Sequence, residues 1–419
     1  MMTQPHLALQ RKRRSKTSLL VLLVLDYCSL YTKALNMPFR SQKMARPVDL
    51  KIPLQRRKFM NRTACGIVAI ITLFPSISNA YAIQNSRFSS SAMLATAQDE
   101  STTGLSSIAY KAFSVPIPNF PNTNVPVACW FPVDDAAAAT STRAVYEHRI
   151  SVRRIGQLLP NWDFIPSFVA KDFSLLPTGS VVDGRGMTIP SGKPTLLLAH
   201  GFLGSRFDLS HLAEDLASRG YVCIAAEYPE SLAASYERQP DLDRRVINQE
   251  LLKTLRDTMG VTGRSYGVIG HSLGCGTVAQ VGDASWARVS IAGGPRTKDG
   301  APENELQIAS LNDGLLRMRN GSAKDYADAD YTLIPPGNED KKRLPRRAAF
   351  VLDAPNHISF LCEGVNDAMI GFLSPLLPVA KLLNIPVLDF DRYQESRDSK
   401  ATAAAVFPVI RQYLQQEMK

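Results

Sequence analysis

The pentapeptide Gly270-His271-Ser272-Leu273-Gly274 constrains the folding of this chain more than any other stretch. It reads G-x-S-x-G and follows a short, mostly apolar run, residues 266–269, with the character of a buried strand. Small residues come next, Cys275, Gly276, Thr277, Val278 and Ala279, and they suit a tightly packed helix start. Strand, sharp turn and helix in that order predict a nucleophile elbow. Such a turn lifts a serine hydroxyl above the sheet, and its two glycines let strand and helix pass close together. The motif gains its meaning from partners elsewhere, and the chain offers candidates for each.

The surrounding sequence alternates between strand and helix patterns. Residues 125–131 read as an early strand, and residues 146–152 alternate and are expected to pair with it. The continuous apolar run within 194–199 marks a strand covered on both faces. Leu212, Ala213 and Leu216 share one side of a helix over 210–219, which Gly220 is placed to end. Residues 221–226 are the next buried strand. Ile247, Leu251, Leu255 and Met259 recur at helical intervals over 243–259. Strands follow at 287–292, 306–310 and 348–352. A closing helix spans 400–416, and Pro408 is expected to kink it or to begin it. This order predicts an α/β fold, a mostly parallel sheet flanked by helices, without internal repeats.

The net charge is +10, yet residues 1–63 hold 14 Lys and Arg against 2 Asp and Glu, leaving 34 against 36 in the remainder. The basic excess belongs to a leader, and the body lacks the basic stripe of a nucleic-acid binder. Arg11-Lys12-Arg13-Arg14-Ser15-Lys16 precedes a Leu and Val run at 19–25, which reads as a signal peptide and is short for a membrane span. Residues 37–63, rich in Arg and Lys with Asp49 as their one acid, suit an organelle transit peptide. Arg56-Arg57-Lys58-Phe59-Met60, ahead of the apolar run 64–74, resembles a twin-arginine export signal, and Ala80 and Ala82 form an A-x-A cleavage site. Residues 1–83 are therefore expected to be a layered targeting leader. It resembles those of algae with secondary plastids and would address a plastid and its thylakoid lumen. Secretion and membrane anchoring are the alternatives. Residues 84–113 read as a linker, and 114–419 as the catalytic body. No metal or cofactor is expected, and none of the six cysteines has zinc-like spacing. Cys223 reads as a buried thiol, and Cys275, beside the elbow, as small-residue packing.

A serine nucleophile needs a base, an acid that orients the base, and donors for the developing oxyanion. Of the six histidines, His6 lies in the leader. His148 reads as half-buried core, His211 as the exposed start of a helix, His271 as turn packing and His200 as structural. His357, in the loop after the last strand, stands where the order Ser…Asp…His puts the base. Asp313, after the penultimate strand, is the favoured acid, with Asp299 one loop earlier as the alternative; Asp330 and Asp353 read as loop and strand-end residues. The backbone N–H groups of Leu273, after the nucleophile, and of Phe202, in the loop His200-Gly201-Phe202-Leu203-Gly204, are the expected oxyanion donors.

These residues, in this order, resemble the α/β-hydrolase superfamily from about residue 114 to the C-terminus. The stretches 200–206 with 216–221, and His357-Ile358-Ser359-Phe360 with the apolar segment after it, look like the platelet-activating-factor acetylhydrolase branch. That resemblance implies a metal-free serine esterase releasing short or oxidised acyl chains from phospholipids. It implies Ser272 as nucleophile, His357 as base, and Phe202 and Leu273 as oxyanion donors. The branch carries its acid after the strand before residues 306–310, where this chain has Gly293-Gly294-Pro295 and no carboxylate until Asp299. The wider superfamily carries it where Asp313 stands. Chlorophyllases are similar in the His-Gly loop and the G-H-S elbow, but usually have Arg where Leu273 stands. The apolar segment 360–385 is either a greasy cap over the serine or a core helix. The expected partner is a lipid-like ester, with contact to a membrane surface and none to nucleic acid. A non-catalytic hydrolase-fold protein that binds lipid or a partner, and an acyltransferase, are the competing readings. Asn320-Gly321-Ser322 fits a glycosylation acceptor.

Overall fold

The computed structural model describes residues 105–158, 163, 166–168, 170–236, 239, 241–296, 302–314, 322–335, 343–373 and 390–419. The leader, Asp299 and Asn320 lie outside the described residues. Among those described, no helix is long and apolar enough to cross a membrane.

Chain order begins with β1 (Ser107–Pro116), β2 (Asn124–Val133), α1 (Asp135–Ala139), β3 (Tyr146–Ser151), α2 (Val152–Leu158), β4 (Ala170–Leu175) and β5 (Val181–Asp183). Then come β6 (Thr195–Ala199), α3 (Ser210–Ser218), β7 (Val222–Ala226), α4 (Arg244–Lys253), β8 (Tyr266–His271), α5 (Gly274–Gln280) and β9 (Ala287–Ile291). The chain closes with β10 (Glu305–Ser310), α6 (Ala323–Asp328), β11 (Thr332–Ile334), β12 (Arg347–Leu352), α7 (Glu363–Leu373), α8 (Phe390–Ser396) and α9 (Ser399–Glu417). Ten strands form one sheet in the order β11-β12-β10-β9-β8-β6-β7-β2-β1-β5. The pairs from β7 through β11 are all parallel, while β2 runs antiparallel to both β1 and β7. With helices over both faces, this is the α/β-hydrolase fold.

Burial on both faces explains the apolar runs. Every residue of β6, β7, β9 and β10 is buried. Along β6, Leu196 and Leu198 face one core with Leu212 and Leu216 of α3 and Val406 and Ile410 of α9. Leu197 and Ala199 face the other, with Ile247 and Leu251 of α4 and Val278 of α5. Gly220 ends α3 with a φ of 93°, and Asp243 caps α4 by accepting the Val246 N–H at 2.9 Å.

Three expectations change. Residues 107–113, read as linker, belong to β1. β3 does not pair with β2. It forms a separate two-stranded sheet with β4, because both edges of β2 are taken by β1 and β7. β3 reaches the main core through a side chain instead: Trp130 Nε1–H donates to Tyr146 Oη at 2.8 Å, and the Tyr146 hydroxyl donates to Glu214 at 2.9 Å. Finally, α9 runs through Pro408 and begins at Ser399. Burial of Val406, Val409, Ile410, Tyr413 and Leu414 offsets the roughly 3 kcal/mol an interior proline costs.

Candidate active site

β8 ends at His271, and the chain turns sharply at Ser272, whose φ is 54°. A non-glycine residue there is strained by about 1–3 kcal/mol, so its surroundings must hold it. Ser272 N–H donates to the Ile291 carbonyl at 2.9 Å, and Cys275 N–H donates back to the Ser272 carbonyl at 3.0 Å. The flanking glycines answer to close approach: a Cβ on Gly274 would lie 2.1 Å from the Ala199 carbonyl oxygen, and one on Gly270 would lie 2.2 Å from that of Gly274. Leu203 and Ala292 also have positive φ, at 61° and 55°. Strained residues therefore follow the carboxyl ends of three adjacent strands, β6, β8 and β9, a clustering typical of functional sites.

The structure brings Asp313 and His357 together. His357 Nδ1–H donates to Asp313 Oδ2 at 2.8 Å, with Asp313 fully buried and His357 6% exposed. The two come from the loops after β10 and β12, which are parallel neighbours. Asn356 stiffens the base loop: its Oδ1 accepts from Ile358 N–H, Ser359 N–H and Ser359 Oγ, and its own N–H donates to Ser359 Oγ. His271 Nε2–H donates to the His357 carbonyl at 3.0 Å, and the two rings lie 4.9 Å apart. His357 is thereby tied to the residue that precedes Ser272. Among the described residues no hydrogen bond joins Ser272 Oγ to His357. Such contacts are often long before substrate binds.

The loop after β6 passes close to the serine: a Cβ on Gly201 would lie 3.1 Å from the Ser272 Cβ. Phe202 follows in that loop and is half-buried, while Leu273, at the head of α5, is 38% exposed. His200 is committed to holding the loop. Its Nδ1–H donates to the Gly201 carbonyl at 2.7 Å, and its Nε2 accepts the Tyr228 N–H at 3.0 Å. Burial keeps its pKa well below the usual histidine value, so the ring is neutral. Arg244 adds a bond to the His200 carbonyl at 2.8 Å, and Leu203 N–H donates to the Glu230 carbonyl at 3.0 Å.

Two histidines fall elsewhere than the sequence suggested. His148 is buried, at 2% exposure, and meets Phe207 edge-on at 5.7 Å. His211 is not at an exposed helix start. Helix α9 covers it, with Phe407 at 5.1 Å, because α3 and α9 pack on the same face of the sheet. Cys275 donates its thiol to the Gly270 and Ile291 carbonyls, and burial pushes its pKa up to about 11, which leaves it an inert packing group. Cys223 is buried, and Asp330 and Asp353 are exposed. The described part of the apolar segment, including Phe360, Val365, Met369 and Ile370, packs into the main core; residues 374–385 lie outside the described residues. The parts played by Asn356 and His271 were missed. Both act on backbone groups, which leave no residue-type signature. Among the described residues no cluster of His, Cys, Asp and Glu could hold a metal ion.

No protein-family model matches this chain, and no curated protein matches it. Solved structures similar to it include a ferulic acid esterase from Streptomyces cinnamoneus, with 18% identity, 63% of this chain and 78% of that one covered, and a TM-score of 0.36. A serine hydrolase without a lid from Xanthomonas campestris is 10% identical, over 60% of this chain and 86% of that one, with a TM-score of 0.33. An esterase from Pyrococcus furiosus is 12% identical, over 60% and 83%, with a TM-score of 0.32.

Proposed function

We propose that this protein is a serine ester hydrolase that cleaves acyl esters of lipid-like substrates through an acyl-enzyme. The observation that carries this reading is the 2.8 Å hydrogen bond between His357 Nδ1–H and buried Asp313, at the sheet edge where Ser272 stands in a strained turn. With its proton on Nδ1, the ring has a bare Nε2 that can accept one. Ser272 Oγ attacks the ester carbonyl while Nε2 takes the hydroxyl proton. Phe202 N–H and Leu273 N–H donate to the oxyanion. Collapse breaks the ester C–O bond, the proton passes from Nε2 to the departing alcohol, and the acyl group stays on Ser272. Water then attacks the acyl carbonyl and gives a proton to the same Nε2; the Ser272 Oγ–acyl bond breaks, Oγ takes that proton back, and the acid leaves.

Two leucines support an apolar substrate delivered from a membrane surface. Leu273 next to the nucleophile and Leu311 near the acid are 38% and 39% exposed. The stretches around His200 and His357 favour a short-chain phospholipid. An acid after β10 fits the wider superfamily better than the acetylhydrolase branch, and phytol release from chlorophyll is the second substrate to try. The layered leader supports a plastid as the site of action.

The test sets acyl release from a short-chain phospholipid beside phytol release from chlorophyll, for the wild-type chain and Ser272→Ala. Phospholipid cleavage that vanishes in the variant is the expected result. Chlorophyll cleavage alone moves the substrate, and no cleavage of either, or full activity in Ser272→Ala, overturns the proposal.

A further inference from the structure

We infer that His271 is a positioning residue: by donating Nε2–H to the backbone carbonyl of His357, it sets the separation of nucleophile and base. This rests on the reading of Ser272 and His357 given above.

The two ends of that bond differ in rigidity. His271 is the last residue of β8 and pairs in register with Ile291 of β9, so the sheet fixes its backbone. His357 stands in a loop, and its ring is held by Asp313 from another loop. The 3.0 Å bond from His271 is therefore a tie between the base and the sheet, made one residue from Ser272. Sites held by regular elements keep tighter geometry than sites held by loops alone. The same ring reaches a third part of the site, since a Cβ on Gly201 would lie 3.2 Å from His271 Nδ1.

A filler role does not account for an imidazole here. The carbonyl can only accept, so Nε2 carries the proton and Nδ1 is bare. That Nδ1 is buried without a hydrogen-bond partner in a residue 3% exposed. An unpaired buried nitrogen is a cost that an apolar side chain of similar size would avoid. The bond to the His357 carbonyl is what the ring provides in return. Burial, with His357 beside it, pushes the pKa of His271 down to about 3. It therefore adds no second positive charge when His357 takes the serine proton.

The test compares His271→Gln, whose amide N–H reaches about as far as Nε2–H, with His271→Leu, which keeps bulk only, and His271→Asn, which falls short. All are made in the full chain. The readouts are kcat and KM on an ester the wild type cleaves, the rate of fluorophosphonate labelling, and the low-field proton resonance of His357 Nδ1–H. Misplacement by about 1 Å costs on the order of 100-fold in rate, so the Leu variant is expected to lose kcat on that order. Its KM should stay within about threefold, its labelling should slow in parallel, and its resonance should broaden. Gln should recover at least about tenfold of the loss and keep the resonance sharp. Equal kcat in the Gln and Leu variants, or an unchanged kcat in a folded Leu variant, overturns the inference. If Leu does not fold, Gln against Asn decides by the same criteria. A wild type that neither cleaves esters nor labels refutes the reading of Ser272, and the inference falls with it. A wild type that does both, with a resonance indifferent to His271→Leu, refutes the inference alone.

Discussion

At the scale of single residues, the proposed chemistry turns on which proton sits where. Asp313 keeps the His357 proton on Nδ1. An asparagine can offer its N–H instead and stabilise the opposite tautomer, so Asp313→Asn should lower kcat by about 10⁴-fold while KM changes little. Steady-state kinetics on the wild-type substrate checks this. A second residue-scale prediction concerns His211. Burial pushes its pKa down to about 4, and its Nδ1 has no hydrogen-bond partner. The unfolded chain, with an ordinary histidine near 6.5, then binds more protons than the folded one between those values. His211 therefore takes stability away as pH falls through that window. His211→Leu should gain thermal stability relative to wild type on going from pH 7 to pH 4.5, measured as the difference in Tm; a difference independent of pH would contradict it. Ser272 and His357 were legible because motif and chain order carry them. Asp313 was favoured over Asp299 from the sequence, but both follow strands, and only the fold shows the Asp313 loop meeting the imidazole. His271 was invisible as a tie because its partner is a carbonyl.

At the scale of elements, the elbow is a packing problem. A methyl on Gly274 meets the Ala199 carbonyl oxygen at 2.1 Å; that oxygen is backbone and a Cβ is fixed to its own Cα, so neither can swing aside. Gly274→Ala should destabilise by more than about 3 kcal/mol or prevent folding. Gly186→Ala, where a Cβ meets nothing within 4 Å, should shift stability by less than about 0.5 kcal/mol. Denaturant titration of both variants measures the contrast, and equal effects would refute the close-approach argument. The buried strands β6 and β7 were readable because two-sided burial writes a run of apolar residues, whereas β9 and β10 are buried throughout yet carry Arg288, Ser290, Glu305 and Gln307 among their apolar residues. β4 was not, since its sequence AKDFSL exposes three of six positions. β1 carries Ser and Lys among its apolar residues and borders a polar stretch, which made part of it look like linker. The partner of β3 was misread because alternation marks a strand without naming its neighbour.

At the scale of the whole molecule, the sheet converts distant sequence into one site. Ser272, Asp313 and His357 follow β8, β10 and β12, and the loop of Phe202 follows β6, all at the carboxyl edge of one parallel array. That arrangement follows from strand–helix alternation, which is why the fold class could be read before any contact was known. The charge of the chain is unevenly divided: residues 1–63 carry the basic excess, and the remainder is near neutrality. Residues 1–83 fused to a fluorescent protein should deliver it to the plastid of an alga with a secondary plastid. Fluorescence retained in the cytosol would remove the plastid from the proposal and leave the chemistry untouched.

The chemistry itself has one decisive measurement. The full chain is treated with a fluorophosphonate and the modified residue is mapped by mass spectrometry, beside Ser272→Ala and His357→Ala. One adduct per chain is expected, on Ser272, absent in the first variant and formed far more slowly in the second. Failure of the folded wild type to react, or equal labelling in all three proteins, would contradict it.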